Sequence, residues 1–114
     1  MIETDPRIPV RFGPAAAAGP ETALLIAGDA AAPAGIAVAR FTPEPLGFHG
    51  VGCACCAPRG AAAAALGRLF LTRARGGVWF REVLAVTPGT IGEAEVRAAV
   101  AGDALTAARF RVLA

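Results

Sequence analysis

The order of elements along the chain predicts a small α/β domain, a three-layer sandwich around a mostly parallel sheet of about four strands. Three observations carry this. From Ala61 to Arg75 an alanine run is followed by Leu66, Leu69, Phe70 and Arg73 at helical spacing, and Gly76-Gly77 stops the pattern. Val83-Leu84-Ala85-Val86 is a continuous apolar run of the kind buried on both faces of a parallel sheet. Strand-like and helix-like segments alternate, which implies right-handed crossovers.

Taken in order, Arg7 to Phe12 alternates apolar and polar and reads as a first strand, with Pro9 suggesting an edge or a strand start. Gly13 to Gly19 is a loop. Pro20-Glu21-Thr22 opens an apolar stretch to Ala27. Proline at the first helical position and Glu21 in the first turn argue for a short helix, although Leu24-Leu25-Ile26 would also suit a strand. Gly28 to Gly35 is a turn, Ile36 to Phe41 a buried strand, and Thr42 to Gly52 an irregular loop. Beyond the long helix, Val78 to Thr87 reads as the strongest strand and Pro88-Gly89 as a turn. Thr90 and Glu93 have the spacing of a capping box, opening a helix to about Gly102. Asp103 and Thr106 fall in the next loop. From Ala107 to Leu113, Arg109 and Arg111 alternate with Phe110 and Val112 as a last strand.

With 114 residues the chain suits one domain, 1–114, around one core. Alanine supplies most of the apolar fraction. The core therefore rests on a few large anchors: Phe12, Leu24, Leu25, Ile36, Leu66, Leu69, Phe70, Trp79, Val83, Leu84 and Phe110. Lys, Ser, Asn, Gln and Tyr do not occur, which excludes a serine nucleophile, a phosphate-binding lysine and a Schiff-base lysine. Arg73, Arg75 and Arg81 lie close in sequence without aromatic interleaving of the kind a nucleic-acid module shows, and read as a solvated face. The polar start with Glu3 and Asp5 is unlike a signal peptide, and no apolar run reaches a membrane span. The expectation is a cytoplasmic protein without nucleic-acid or membrane partners.

All three cysteines fall in Gly52-Cys53-Ala54-Cys55-Cys56, with the only histidine, His49, just upstream. Thiols at i, i+2 and i+3 of a tight loop can converge on one soft metal centre, and the following helix start favours thiolate over thiol. Three thiolates favour zinc, or copper(I), over magnesium or calcium. His49 is a candidate fourth ligand. A vestigial cluster of small apolar side chains and a single reactive thiolate are the other readings of this loop. Glu93 and Glu95 do not form an acid/base pair, because residues two apart on a helix face different ways.

The run Gly52 to Leu71, Gly-Cys-x-Cys-Cys followed by a leucine-spaced helix, resembles the metal motif of the CobW-type metallochaperone GTPases, a branch of the P-loop GTPases. Ile8-Pro9-Val10 is similar to that family's opening strand, Thr22-Ala23-Leu24-Leu25 to the start of its first helix, and Ile36-Ala37-Val38 to its second strand. Val83 to Gly89 is similar to its Walker B-like strand and turn. Aligning Thr22 with the magnesium-binding Ser/Thr puts Glu21 at the lysine and Pro20 at the last glycine of the phosphate loop. At the second motif Gly89 is kept, but Val86 stands at the acidic position. The resemblance thus implies a P-loop-like fold, metal handling through Cys53, Cys55 and Cys56, and loss of GTP hydrolysis; it also makes Glu44 a further candidate ligand, since relatives carry acidic residues near the metal in the loop after the second strand. The expectation is a non-enzymatic zinc protein of metal trafficking, buffering or sensing, with no nucleotide and with a homodimer or protein partner plausible. The alternative is an accessory subunit that binds a protein partner and whose cysteines are vestigial.

Overall fold

A computed structural model of the chain describes residues 5–44 and 60–113. Among them, five strands form one parallel sheet: β1 (Ile8–Phe12), β2 (Thr22–Ala27), β3 (Val38–Phe41), β4 (Glu82–Val86) and β5 (Phe110–Val112). The strand order is β3-β2-β4-β1-β5. Three helices, α1 (Ala61–Ala74), α2 (Thr90–Gly102) and α3 (Ala104–Arg109), complete the α/β domain.

The two faces of the sheet are covered differently. Val10, Ala23, Leu25, Val83 and Ala85 pack with Ala62, Ala65, Leu66 and Leu69 of α1 and with Val96 and Val100 of α2. On the other face Leu24, Ile26 and Leu84 are covered by Ala15, Ala18, Ala32 and Ile36, from a short 3₁₀ turn (Ala15–Ala17) and the β2–β3 connection. The third layer is therefore thin. β1 to β2 and β2 to β3 step toward one edge and cross on the thin face; β3 to β4 and β4 to β5 step the other way and cross on the helical face. A uniform crossover hand requires that division.

Thr22–Ala27 is a strand, not the first turn of a helix, and all six of its residues are buried. It lies between β3 and β4, so both of its faces find apolar partners. An unbroken apolar run has no phase that distinguishes this from a buried helix. Glu21 enters the strand at φ 62°, and its carbonyl accepts the Arg81 amide at 2.8 Å. The expected strand from Val78 shortens to Glu82–Val86. Continued regularly, it would put Trp79 on the helical face beside Val83; instead the chain stays outside the ladder there and Phe80 is buried in that core. Trp79 is 59% exposed, not a core anchor.

Two termini also differ from expectation. Gly89, at φ 87°, takes the cap position of α2, no side chain caps it, and Glu93 pairs with Arg97 at 2.8 Å instead of closing a box with Thr90. At the end of the chain Asp103 accepts from the Thr106 amide (3.0 Å) and hydroxyl (2.8 Å), which starts α3 in the stretch expected to be loop; the helix runs on to Arg109, so the strand expected from Ala107 begins only at Phe110. Pro9 sits in an interior strand: its neighbours' bonding directions aim its nitrogen toward β4, and the β1–β4 ladder begins one residue later, at Val10.

Candidate functional site

Cys53, Cys55, Cys56 and His49 lie in 45–59, outside the described residues. Glu44 is the last described residue before that segment and Gly60 the first after it. The segment thus leaves from beyond the carboxyl end of β3 and returns at the N-terminus of α1. Loops at the carboxyl ends of strands are where open parallel sheets place their sites.

Both ends of the segment are held by one carboxylate. Glu95, on α2 and only 8% exposed, accepts a hydrogen bond from the Glu44 amide at 2.9 Å through Oε1 and from the Ala62 amide at 3.2 Å through Oε2. α1 has Gly60 at its cap, no acid in its first turn and no capping side chain of its own. Glu95 supplies what the helix lacks, a negative charge and an acceptor at its free amides. Alanine at 62, 63, 98 and 99 lets α1 and α2 approach, and with Glu95 these residues border a cleft of about 300 Å³. Glu95 offsets the field of the helix start, which therefore attracts a further anion less than a bare helix start does. A metal bound by the thiolates would supply the stabilising charge itself.

The sequence reading set Glu95 aside with Glu93, on the ground that the two face different ways. They do. Glu95 turns inward, and Glu93 pairs with Arg97 at the surface. No local pattern marks an inward glutamate whose partners lie 33 and 51 residues away.

A second feature occupies the switch point of the sheet. β1 and β4 are neighbours whose outgoing connections leave on opposite faces. Between their carboxyl ends lies a cleft of about 570 Å³, bordered by Phe12, Gly13, Pro14, Val86, Pro88 and Glu93. The Arg97 guanidinium, paired with Glu93, stands 4.7 Å from the centre of the Phe12 ring. A phosphate loop at this end needs a strand, a glycine turn and a helix. Here β1 leads through Gly13–Gly19 into strand β2, so the sequence similarity at Thr22 does not extend to that geometry.

At the opposite, amino end of β2 and β4, a polar cluster is built into the thin face. Arg11 binds Glu82 with Nε (3.1 Å) and Nη2 (2.9 Å), and Thr22 donates its hydroxyl to Glu82 at 2.7 Å. The Arg11 bonds hold the Glu82 carboxyl below the usual glutamate range, against the opposing effect of partial burial, with Thr22 adding to the lowering. These groups satisfy one another and fasten β1, β2 and β4 under the 3₁₀ turn, where Arg11 also reaches the Ala17 carbonyl at 2.9 Å.

Among the described residues no three His, Cys, Asp or Glu side chains group as a metal site, so a site built on Glu44 needs donors from 45–59. Among them, too, no helix is long and apolar enough to cross a membrane. Comparison of the chain with protein-family models, with curated proteins and with solved structures finds no match.

Proposed function

We propose that this chain is a non-catalytic metal-binding protein that takes zinc, or another soft or borderline metal, through Cys53, Cys55 and Cys56. His49 and Glu44 are the further candidate donors. The carrying observation is that Glu95 fastens the chain on both sides of the segment that holds every thiol. Pinned ends lower the entropy that a metal must remove to close the loop. The donor set, three thiols and an imidazole, has the softness zinc or copper(I) selects. The resemblance of Gly52 to Leu71 to the CobW metal motif supports the same reading, and is the ground for proposing a role in cytoplasmic metal trafficking, buffering or sensing. With no lysine in the chain, nucleotide hydrolysis of the P-loop type has no residue to run on.

Metal bound there would stabilise the thiolates and link the end of β3 to the start of α1. The test is a Co(II) titration of reduced, metal-free protein, with Zn(II) in competition. Thiolate-to-metal absorption saturating near one equivalent, lost in Cys53→Ala and Cys55→Ala, is the expected result. An endpoint near half an equivalent means one ion shared by a homodimer. Featureless spectra with all thiols freely titratable overturn the reading. One observation favours the accessory-subunit alternative: Trp79, the largest side chain in the protein, stands at the surface.

A further inference from the structure

From Gly60 to Arg81 the chain carries Arg68, Arg73, Arg75 and Arg81 and no acid, in a protein whose charges otherwise nearly balance. Among the described residues only Arg81 of these four is answered by a carboxylate, that of Glu21 at 2.8 Å. Arg68 donates to the Arg40 carbonyl at 2.8 Å. Arg73 donates to the Phe80 carbonyl at 2.6 Å and lays its guanidinium 4.0 Å from the centre of the Trp79 ring. That stacking fixes an exposed indole in place. Next to it is a notch of about 450 Å³ bordered by Arg68, Leu71, Thr72, Arg75 and Gly77. Gly77 is two residues from Trp79, hence within about 7 Å of it along the chain. Leu71 (42% exposed) and Val78 (39%) add apolar surface.

We propose that this surface binds an acidic segment of a partner protein: an apolar side chain enters the notch against Leu71, its flanking carboxylates face Arg68 and Arg75, and Trp79, two residues from Gly77 at the notch border, offers a neighbouring contact. A rigid tryptophan beside arginines is the composition of an interface hot spot. Arg68, Arg73 and Arg75 have no counter-ion among the described residues, and that excess positive charge selects the sign of the partner. The notch selects its class. A bilayer has no side chain to insert, and a single nucleic-acid strand stacks along several rings where this surface offers one. The proposal does not depend on the cysteine segment.

The test is a selection of a random peptide display library on the immobilised 114-residue chain. Enriched peptides are then titrated against it, following emission from Trp79, the only tryptophan. Expected are sequences with Asp or Glu beside an apolar residue and a saturable shift of the Trp79 emission. Affinity should weaken with added salt and fall by about tenfold or more in Arg75→Glu, whose side chain borders the notch and makes no hydrogen bond or ion pair among the described residues. The same loss in Trp79→Ala, with unchanged circular dichroism in both variants, completes the expected pattern. Enrichment without acidic bias, or affinity indifferent to both substitutions, overturns the proposal. So does tighter Arg75-dependent binding to phosphatidylserine vesicles or oligothymidylate than to any selected peptide.

Discussion

The Ala62 amide, in the first turn of α1, donates to the carboxylate of Glu95 on α2, 33 residues further along. A helix start that its own sequence leaves uncapped is thus completed from a neighbouring helix, and the same carboxylate fixes the Glu44 amide. Replacing Glu95 by Ala removes the acceptor of the buried Ala62 amide and of the part-buried Glu44 amide, and is expected to cost about 1–3 kcal/mol in urea unfolding. Glu95→Gln keeps one acceptor and should cost less, about 0.5–1.5 kcal/mol. If the metal reading holds, both variants also weaken Co(II) binding, Glu95→Ala more. Wild-type stability in Glu95→Ala would show that the carboxylate does not hold the two chain ends.

Gly92 behaves against helix propensity. It lies inside α2, where Gly→Ala ordinarily gains up to about 1 kcal/mol. Here a Cβ would stand 2.9 Å from the Ala27 Cβ and 3.4 Å from the Thr87 Cβ, neither of which has rotamers to yield. Gly92→Ala is expected to destabilise by about 1–3 kcal/mol through overpacking, read from the midpoint of chemical unfolding. A gain in stability would mean α2 is free to lift from the end of β2.

Glu21 gives the opposite case. It holds φ 62°, a left-handed conformation that costs an L side chain roughly 1–2 kcal/mol. Its structural contribution is the carbonyl that accepts the Arg81 amide, which any residue provides. The exposed pair with Arg81 adds little. Glu21→Gly should therefore leave stability unchanged or raise it by up to about 1 kcal/mol, while Glu21→Val, β-branched, should lower it. Thermal unfolding of the two variants side by side checks the sign.

Acid should weaken the fold through two carboxylates. Hydrogen bonds from Arg7 lower Asp5 to about 2, and hydrogen bonds from Arg11, then Thr22, lower Glu82. A carboxyl whose folded value is depressed stabilises the fold fully above its unfolded value, near 4. That contribution disappears as pH falls through the folded value, because the unfolded chain takes up its proton first. The urea midpoint is therefore expected to drop between about pH 4.5 and pH 2. Glu82→Gln should be less stable than wild type at pH 7 and lose less over that window. Parallel pH profiles for the two proteins would remove Glu82 from the account.

α1 and β4 were legible because each carries its own local argument: an alanine and leucine pattern ended by Gly-Gly, and a four-residue apolar run. The α/β class followed from their alternation. Thr22–Ala27 was not, because a six-residue apolar run takes whichever form lets both sides be covered, and that is settled by β3, β4 and the thin loop layer. Trp79 misled for a related reason. Size alone put it in the core, whereas the late start of β4 gave that place to Phe80.

By itself, the sequence determined the inventory and the short-range order. It put every thiol in one window, left the chain without lysine, and wrote the long helix and the central strand into local spacing. Only the tertiary structure decided which apolar run became an inner strand and that Glu95 would hold the borders of the cysteine segment. It also decided that Trp79 would stand outside under Arg73. Propensity and periodicity act over a few residues. Burial, capping from another helix and stacking join residues that the chain keeps far apart or that a single irregular turn redirects, and they exist only once the sheet has assembled.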